Sequence, residues 1–135
     1  MKKLTIDGIE FRDLDHDGVL SPYEDHRLSA DARTKDLLNK MTMAEKVGVM
    51  MHGTAQSIGP LGVMGVGAEY NQHANQQLIS EHKINHLITR LDNKPKEFAK
   101  QNNALQQIAA DTRLGIPVTI STDPRHHFQH VTGAS

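Results

Sequence analysis

The chain has 135 residues, the length of one domain, with fifteen basic and sixteen acidic side chains for a net charge of −1. That balance leaves no basic footprint for nucleic acid or an anionic membrane, and the absence of Cys excludes disulfides, thiolate zinc sites and cysteine nucleophiles. Hydrophobic residues are 37% of the chain without Gly and aromatics 4%, with no Trp, so the core-forming material is thin and its apolar faces read as expecting more protein around them.

The start, Met1-Lys2-Lys3-Leu4-Thr5-Ile6-Asp7-Gly8, turns acidic before an apolar h-region forms. It carries no readable signal peptide, and a cytoplasmic location is the expectation. No stretch reaches the roughly 20 apolar residues of a membrane helix.

The most specific local motif follows. Asp13-Leu14-Asp15-His16-Asp17-Gly18-Val19-Leu20-Ser21-Pro22-Tyr23-Glu24 matches a twelve-residue calcium loop position for position. Asp13, Asp15 and Asp17 supply carboxylates, Gly18 the sharp turn, Val19 a backbone carbonyl and Glu24 a bidentate carboxylate. Ca²⁺ takes six to eight hard oxygens, and this spacing can fold them around one point. The preceding Thr5-Ile6-Asp7-Gly8-Ile9 is β-prone and broken by Gly, so no helix enters the loop and a complete EF-hand is not expected. A metal-free alternative stays open, since Ser21 as N-cap, Pro22 at N1 and Glu24 at N3 form a capping box by themselves.

Helices come next. Ser29 caps a helix over 31–40, and Thr42-Met43-Ala44-Glu45 is a second capping box opening a helix with Val47, Met50 and Met51 on one face. Such a methionine stripe reads as core filling. The stretch 53–67, with Gly59, Gly62, Gly65 and Gly67, lacks the order of a phosphate or dinucleotide loop and reads as a surface loop. A polar helix over 72–82 leads to an apolar strand over 84–89 that ends in Arg90-Leu91-Asp92. Pro95 then opens a helix with Phe98, Asn102, Leu105 and Ala109 on one face and Gly115 just past its end.

Strand 116–122 closes this β-α-β unit and runs into Asp123-Pro124-Arg125-His126-His127. Crossovers of this kind pair their strands in parallel, and α/β sheets place chemistry at the carboxyl ends of such strands. Arg90, Asp92 and Asp123 are expected at that edge, with an Arg90–Asp92 surface ion pair as the plainer reading. His82 with His86, and His126 and His127 with His130, have spacings that invite zinc, but no His-Glu-x-x-His accompanies them. Solvated or hydroxyl-bonding histidines are the expectation.

Three segments carry a family resemblance: Met41-Thr42-Met43-Ala44-Glu45-Lys46-Val47-Gly48-Val49-Met50, Asn102-Asn103-Ala104-Leu105-Gln106-Gln107-Ile108-Ala109, and Leu114-Gly115-Ile116-Pro117-Val118 through Asp123 and His126. In that order they resemble the N-terminal part of glycoside hydrolase family 3, the β-glucosidase-like enzymes. The resemblance implies an α/β fold, the N-terminal part of a (β/α)8 TIM-type barrel, mostly helical with few parallel strands. Residues 29–135 would be its first two β/α units, preceded by an arm, 1–28, carrying the EF-hand-like loop. A whole barrel takes about 250 residues, so the chain reads as a fragment.

The implied activity is hydrolysis of O-glycosyl bonds of β-glucosides or related β-linked sugars, with retention through two carboxylates. The implied partner is a carbohydrate, with no cofactor required for catalysis and Ca²⁺ as a structural candidate. In the family an Asp followed three residues later by His closes the second barrel strand, and that Asp grips hydroxyls of the −1 sugar. Asp123 and His126 match, and Arg90 joins them as a substrate-binding candidate. The family nucleophile is an Asp on a later strand and the acid/base comes from farther on still, both outside these 135 residues, so no catalytic residue is expected here and no hydrolysis by the isolated chain. His127 stands where many members have Gly, which alters the neighbouring subsite. The alternative is a non-catalytic calcium-binding or interaction module built on residues 13–24.

Overall fold

The computed structural model describes residues 2–59, 67–91 and 93–122. Asp7 and Gly8 take positive φ values of 52° and 78°, the left-handed pair that an Asp-Gly hairpin turn requires. They fold β1 (Lys2–Ile6) back on antiparallel β2 (Ile9–Asp13). The segment before the acidic loop is thus a hairpin and not a helix, as its sequence predicts.

Ser29 accepts the Ala32 N–H at 3.2 Å and starts α1 (Ala30–Lys40). Thr42 starts α2 (Met43–Val49) through a reciprocal capping box in which Glu45 returns a carboxylate oxygen to the Thr42 N–H at 2.8 Å. The methionine face of α2 is not core: Met50 is 85% exposed, and Val47 and Met51 are also exposed. The buried side of this short helix is Glu45 and Gly48. Gly48 presses on the backbone of Lys83, where any Cβ would collide with the carbonyl.

Glu45 also receives the Arg113 guanidinium, which ties α2 to the segment after α4 (Pro95–Ala110). Burial pushes the Glu45 carboxyl up, but the hydrogen bonds from Arg113 and Thr42 outweigh it and hold the group at about 2. The folded value is below the unfolded 4.5, so the pair stabilises the fold above pH 4.5 and the gain is lost as pH falls from 4.5 towards 2. With the Arg113 side chain 53% exposed, screening reduces the contribution to about 1–2 kcal/mol. Unfolding free energies from urea titrations at pH 6 and pH 2.5 should differ by that much more for the native chain than for Arg113→Met.

The central sheet is parallel, in the order β3 (His52–Thr54), β6 (His86–Ile88), β7 (Thr119–Ser121). The β6-α4-β7 crossover is the β-α-β unit expected from 84–122, with shorter strands. β3 corrects the expectation of a surface loop over 53–67, as does β4 (Ser57–Ile58), which pairs antiparallel with β5 (Glu69–Tyr70). Gly53 lets β3 approach closely, since a Cβ there would stand 3.2 Å from both Ile84 Cγ2 and Leu87 Cδ2. α3 (Gln72–Gln76) continues into a widened π turn over Gln77–Glu81, which together fill the helix expected over 72–82.

The core lies between this sheet and α4, around Leu87, Leu91, Leu105, Ala109, Ile79 and Val118. Two side-chain amides fasten helices to extended segments. Buried Asn75 accepts the Gln56 N–H at 2.8 Å and donates to the Gln56 carbonyl at 2.7 Å, and Gln106 does the same for Val118 at 3.0 and 2.6 Å. Each amide pairs with both backbone groups of an extended residue, as a neighbouring strand would.

Candidate functional site

The carboxyl ends of the three parallel strands are level, because Thr54 pairs with Ile88 and Ile88 with Ser121. The ladder continues one residue on, as Ala55 N–H donates to the Ile88 carbonyl at 2.9 Å and Thr89 N–H to the Ser121 carbonyl at 2.8 Å. Thr89 is buried, with its hydroxyl donating to Tyr70 Oη at 2.6 Å, and Tyr70 in turn donates to Asn102 Oδ1 at 3.0 Å. This polar cluster locks the turn after β6 against α4 and leaves Arg90 exposed at the edge, with no ion pair to a described residue. Across the sheet, His52 Nε2 lies 3.0 Å from Ser121 Oγ. The described edge therefore supplies cationic and hydrogen-bonding groups at the end of a parallel sheet. Asp123 and His126, the principal sugar-binding candidates, lie outside the described residues, as do Asp92, His127 and His130.

A second arrangement is the acidic loop between β2 and residue 25. Gly18 takes φ 79° and His16 φ 62°, so the chain turns sharply within three residues. Asp13, Asp15 and Asp17 each bring a carboxylate oxygen within 4.8 Å of the others. Asp13 is 1% exposed, and its Oδ1, like Oδ1 of Asp15, has no hydrogen-bond partner among the described residues. Lys40 Nζ reaches Asp15 Oδ2 at 3.4 Å, and Asp17 Oδ1 accepts the Val19 N–H at 2.7 Å. Val19 itself is exposed. Glu24 is buried and holds the loop closed: Oε1 accepts the Leu14 N–H at 2.6 Å and Oε2 the Ser21 N–H at 2.9 Å. The structure thus gathers the three aspartates and assigns Glu24 to backbone amides, including the Ser21 half of the capping box.

The loop docks on the body by contacts no local pattern announces. His16 Nε2 lies 2.9 Å from the Ala110 carbonyl, and Tyr23 Oη donates to the Leu114 carbonyl at 3.4 Å. Burial, then the charges of Glu24, Asp15 and Asp17, push the Tyr23 phenol well above its usual value. Gly115 completes the joint, with φ 55° and room for no Cβ, which would stand 2.6 Å from the Leu14 carbonyl oxygen.

Fold and strand edge define a mixed α/β unit built on a parallel sheet, the kind that carries binding groups at its strand ends. No family model matches the chain. It is 50% identical over 133 residues, 98% of its length, to a protein of Dickeya chrysanthemi named periplasmic β-glucosidase/β-xylosidase. It is 36% identical over 116 residues, 85% of its length, to β-glucosidase C of Emericella nidulans. The chain spans 20% of the first of these proteins and 18% of the second. The resemblance to β-glucosidase-like glycosidases therefore stands, and the chain is homologous to a fragment of such enzymes. The expectation of a cytoplasmic location is overturned by the Dickeya relative, whose name places it in the periplasm. A leader is read from composition at the N-terminus alone, which was too little to locate the protein.

Proposed function

We propose that the protein to which this chain contributes is a retaining glycoside hydrolase of the family 3 type acting on β-linked glucosides or xylosides. The chain supplies the arm and the first two β/α units of a (β/α)8 barrel, and sugar hydroxyls meet Asp123, His126 and Arg90 at the strand ends. The supporting observation is the level carboxyl edge of β3, β6 and β7 within a chain 50% identical to a β-glucosidase/β-xylosidase segment. Arg90 follows the paired residue Ile88 by two positions, as Asp123 follows its partner Ser121 in sequence. We carry the periplasmic location over from the same relative.

Retention requires a nucleophile and an acid/base carboxylate about 5–5.5 Å apart. The nucleophile belongs to a later strand and the acid/base to a part farther on still, so this part binds substrate without cleaving it and needs no cofactor for the chemistry. Proton NMR of aryl β-glucoside hydrolysis by the whole enzyme should show the β-anomer of the released sugar first, and the purified 135-residue chain should show no turnover above a blank. The α-anomer appearing first would refute retention. Turnover by the purified chain would refute the division of labour.

A further inference from the structure

We infer that the loop from Asp13 to Glu24 is a calcium site that braces the hairpin arm against the body of the chain, an inference independent of the glycosidase reading. A carboxylate removed from water without a partner costs several kcal/mol, and proteins avoid that cost by pairing or metal coordination. Asp13 is 1% exposed, its Oδ1 lacks any hydrogen-bond partner among the described residues, and two more carboxylates converge on it. Hydrogen bonding within the loop does not resolve this. The Glu24 carboxylate adds a fourth negative charge, and among the described residues the one cation paired with these carboxylates, Lys40, reaches only Asp15. A divalent ion at the convergence point supplies the missing charge.

The donor set selects the ion. All the converging groups are oxygens, which suits a hard cation, and His16, the one nitrogen ligand in the loop, is turned away to the Ala110 carbonyl. Oxygens up to 4.8 Å apart can share a centre at the roughly 2.3–2.6 Å of Ca²⁺ coordination. Asp13, Asp15 and Asp17 are the primary ligands. The Val19 carbonyl and the remaining lone pairs of Glu24 complete the set, because each Glu24 oxygen accepting an amide still has electron density to share.

The consequence reaches beyond the loop. His16, Tyr23 and Leu14 all contact residues 110–115, the connection from α4 to β7, so a filled site would stiffen the segment that delivers β7.

The test is calorimetric titration of the chelator-treated 135-residue chain with CaCl₂, paired with thermal melts. One saturable site below about 1 mM is expected, with a melting midpoint that rises with Ca²⁺ and returns on EGTA addition. Asp17→Asn keeps the oxygen that accepts the Val19 N–H, so it should fold with an unchanged or higher metal-free midpoint and bind Ca²⁺ at least about tenfold more weakly. The wild-type titration decides the matter even if that variant misfolds. Absence of saturable binding up to about 10 mM, wild-type affinity in Asp17→Asn, or equal effects of Mg²⁺ would overturn the calcium site.

Discussion

Asp123→Ala in the whole enzyme should lower kcat/KM for an aryl β-glucoside by about 10²–10⁴-fold while leaving the melting midpoint within about 1 °C. Each hydrogen bond from a sugar hydroxyl to an ionised carboxylate is worth about 1.5–3 kcal/mol, and a carboxylate gripping two hydroxyls risks twice that. At about 1.4 kcal/mol per tenfold in rate, the range follows directly. If Asp123 serves substrate as proposed, stability should barely change, because the core around Leu87 and Leu105 is built without it. Asp123→Asn keeps one acceptor and should recover part of the loss. Arg90→Ala should cost less, within about tenfold, since an exposed cation contributes little without desolvation. Comparing kcat and KM separately distinguishes the roles: ligands that grip the sugar harder in the transition state lower kcat, and uniform ones raise KM. A kcat/KM for Asp123→Ala within threefold of wild type would remove Asp123 from the sugar site.

Much of this architecture is written in local signals, and the remainder depends on distant partners. Ser29, Thr42 with Glu45, and Pro95 each mark a helix start, because orphan amides at a helix N-terminus need an acceptor within three residues or a residue without an N–H. The face through Leu105 and Ala109 predicts the side of α4 that is buried, and the apolar runs around it predict the parallel β6–β7 pair. β3 is illegible for the opposite reason. His52-Gly53-Thr54 has no apolar alternation, and its pairing is dictated by Ile84 and Leu87, more than thirty residues later. The methionines of α2 misled because helical periodicity identifies an apolar face without saying whether anything covers it; here Met50 stays exposed.

The candidate sites divide the same way. Spacing alone identified Asp13, Asp15 and Asp17 as convergent oxygens, because such a loop is a local object. It could not foresee that Glu24 would be held by Leu14 and Ser21 amides, or that His16 would cross to Ala110, 94 residues away. Asn75 and Gln106 were missed because a polar residue on a helix ordinarily reads as solvent-facing, whereas each satisfies both backbone groups of an extended residue. Asp123 and His126 rest on the family pattern, which no spacing rule in this chain supplies.

Leu105→Ala should be the most damaging single truncation in the body, costing about 2–5 kcal/mol. The side chain is fully buried between α4 and β6, against Leu87 and Val118, so its removal forfeits both transfer energy and packing. Where in that range the cost falls depends on whether the surroundings collapse into the void. They are poorly able to, because β6 is fixed on both sides by β3 and β7, and α4 is pinned to Val118 through both ends of the Gln106 amide. The upper half of the range is therefore expected. Against a total of about 5–15 kcal/mol for a typical domain, that loss should bring the urea midpoint down by about a quarter or more, with an unchanged slope. Leu105→Met, which nearly conserves volume, should cost below about 1.5 kcal/mol, and Met50→Ala, at a residue 85% exposed, within about 0.5. Similar midpoints for Leu105→Ala and Met50→Ala would mean that the interface between α4 and the sheet is not what holds this chain folded.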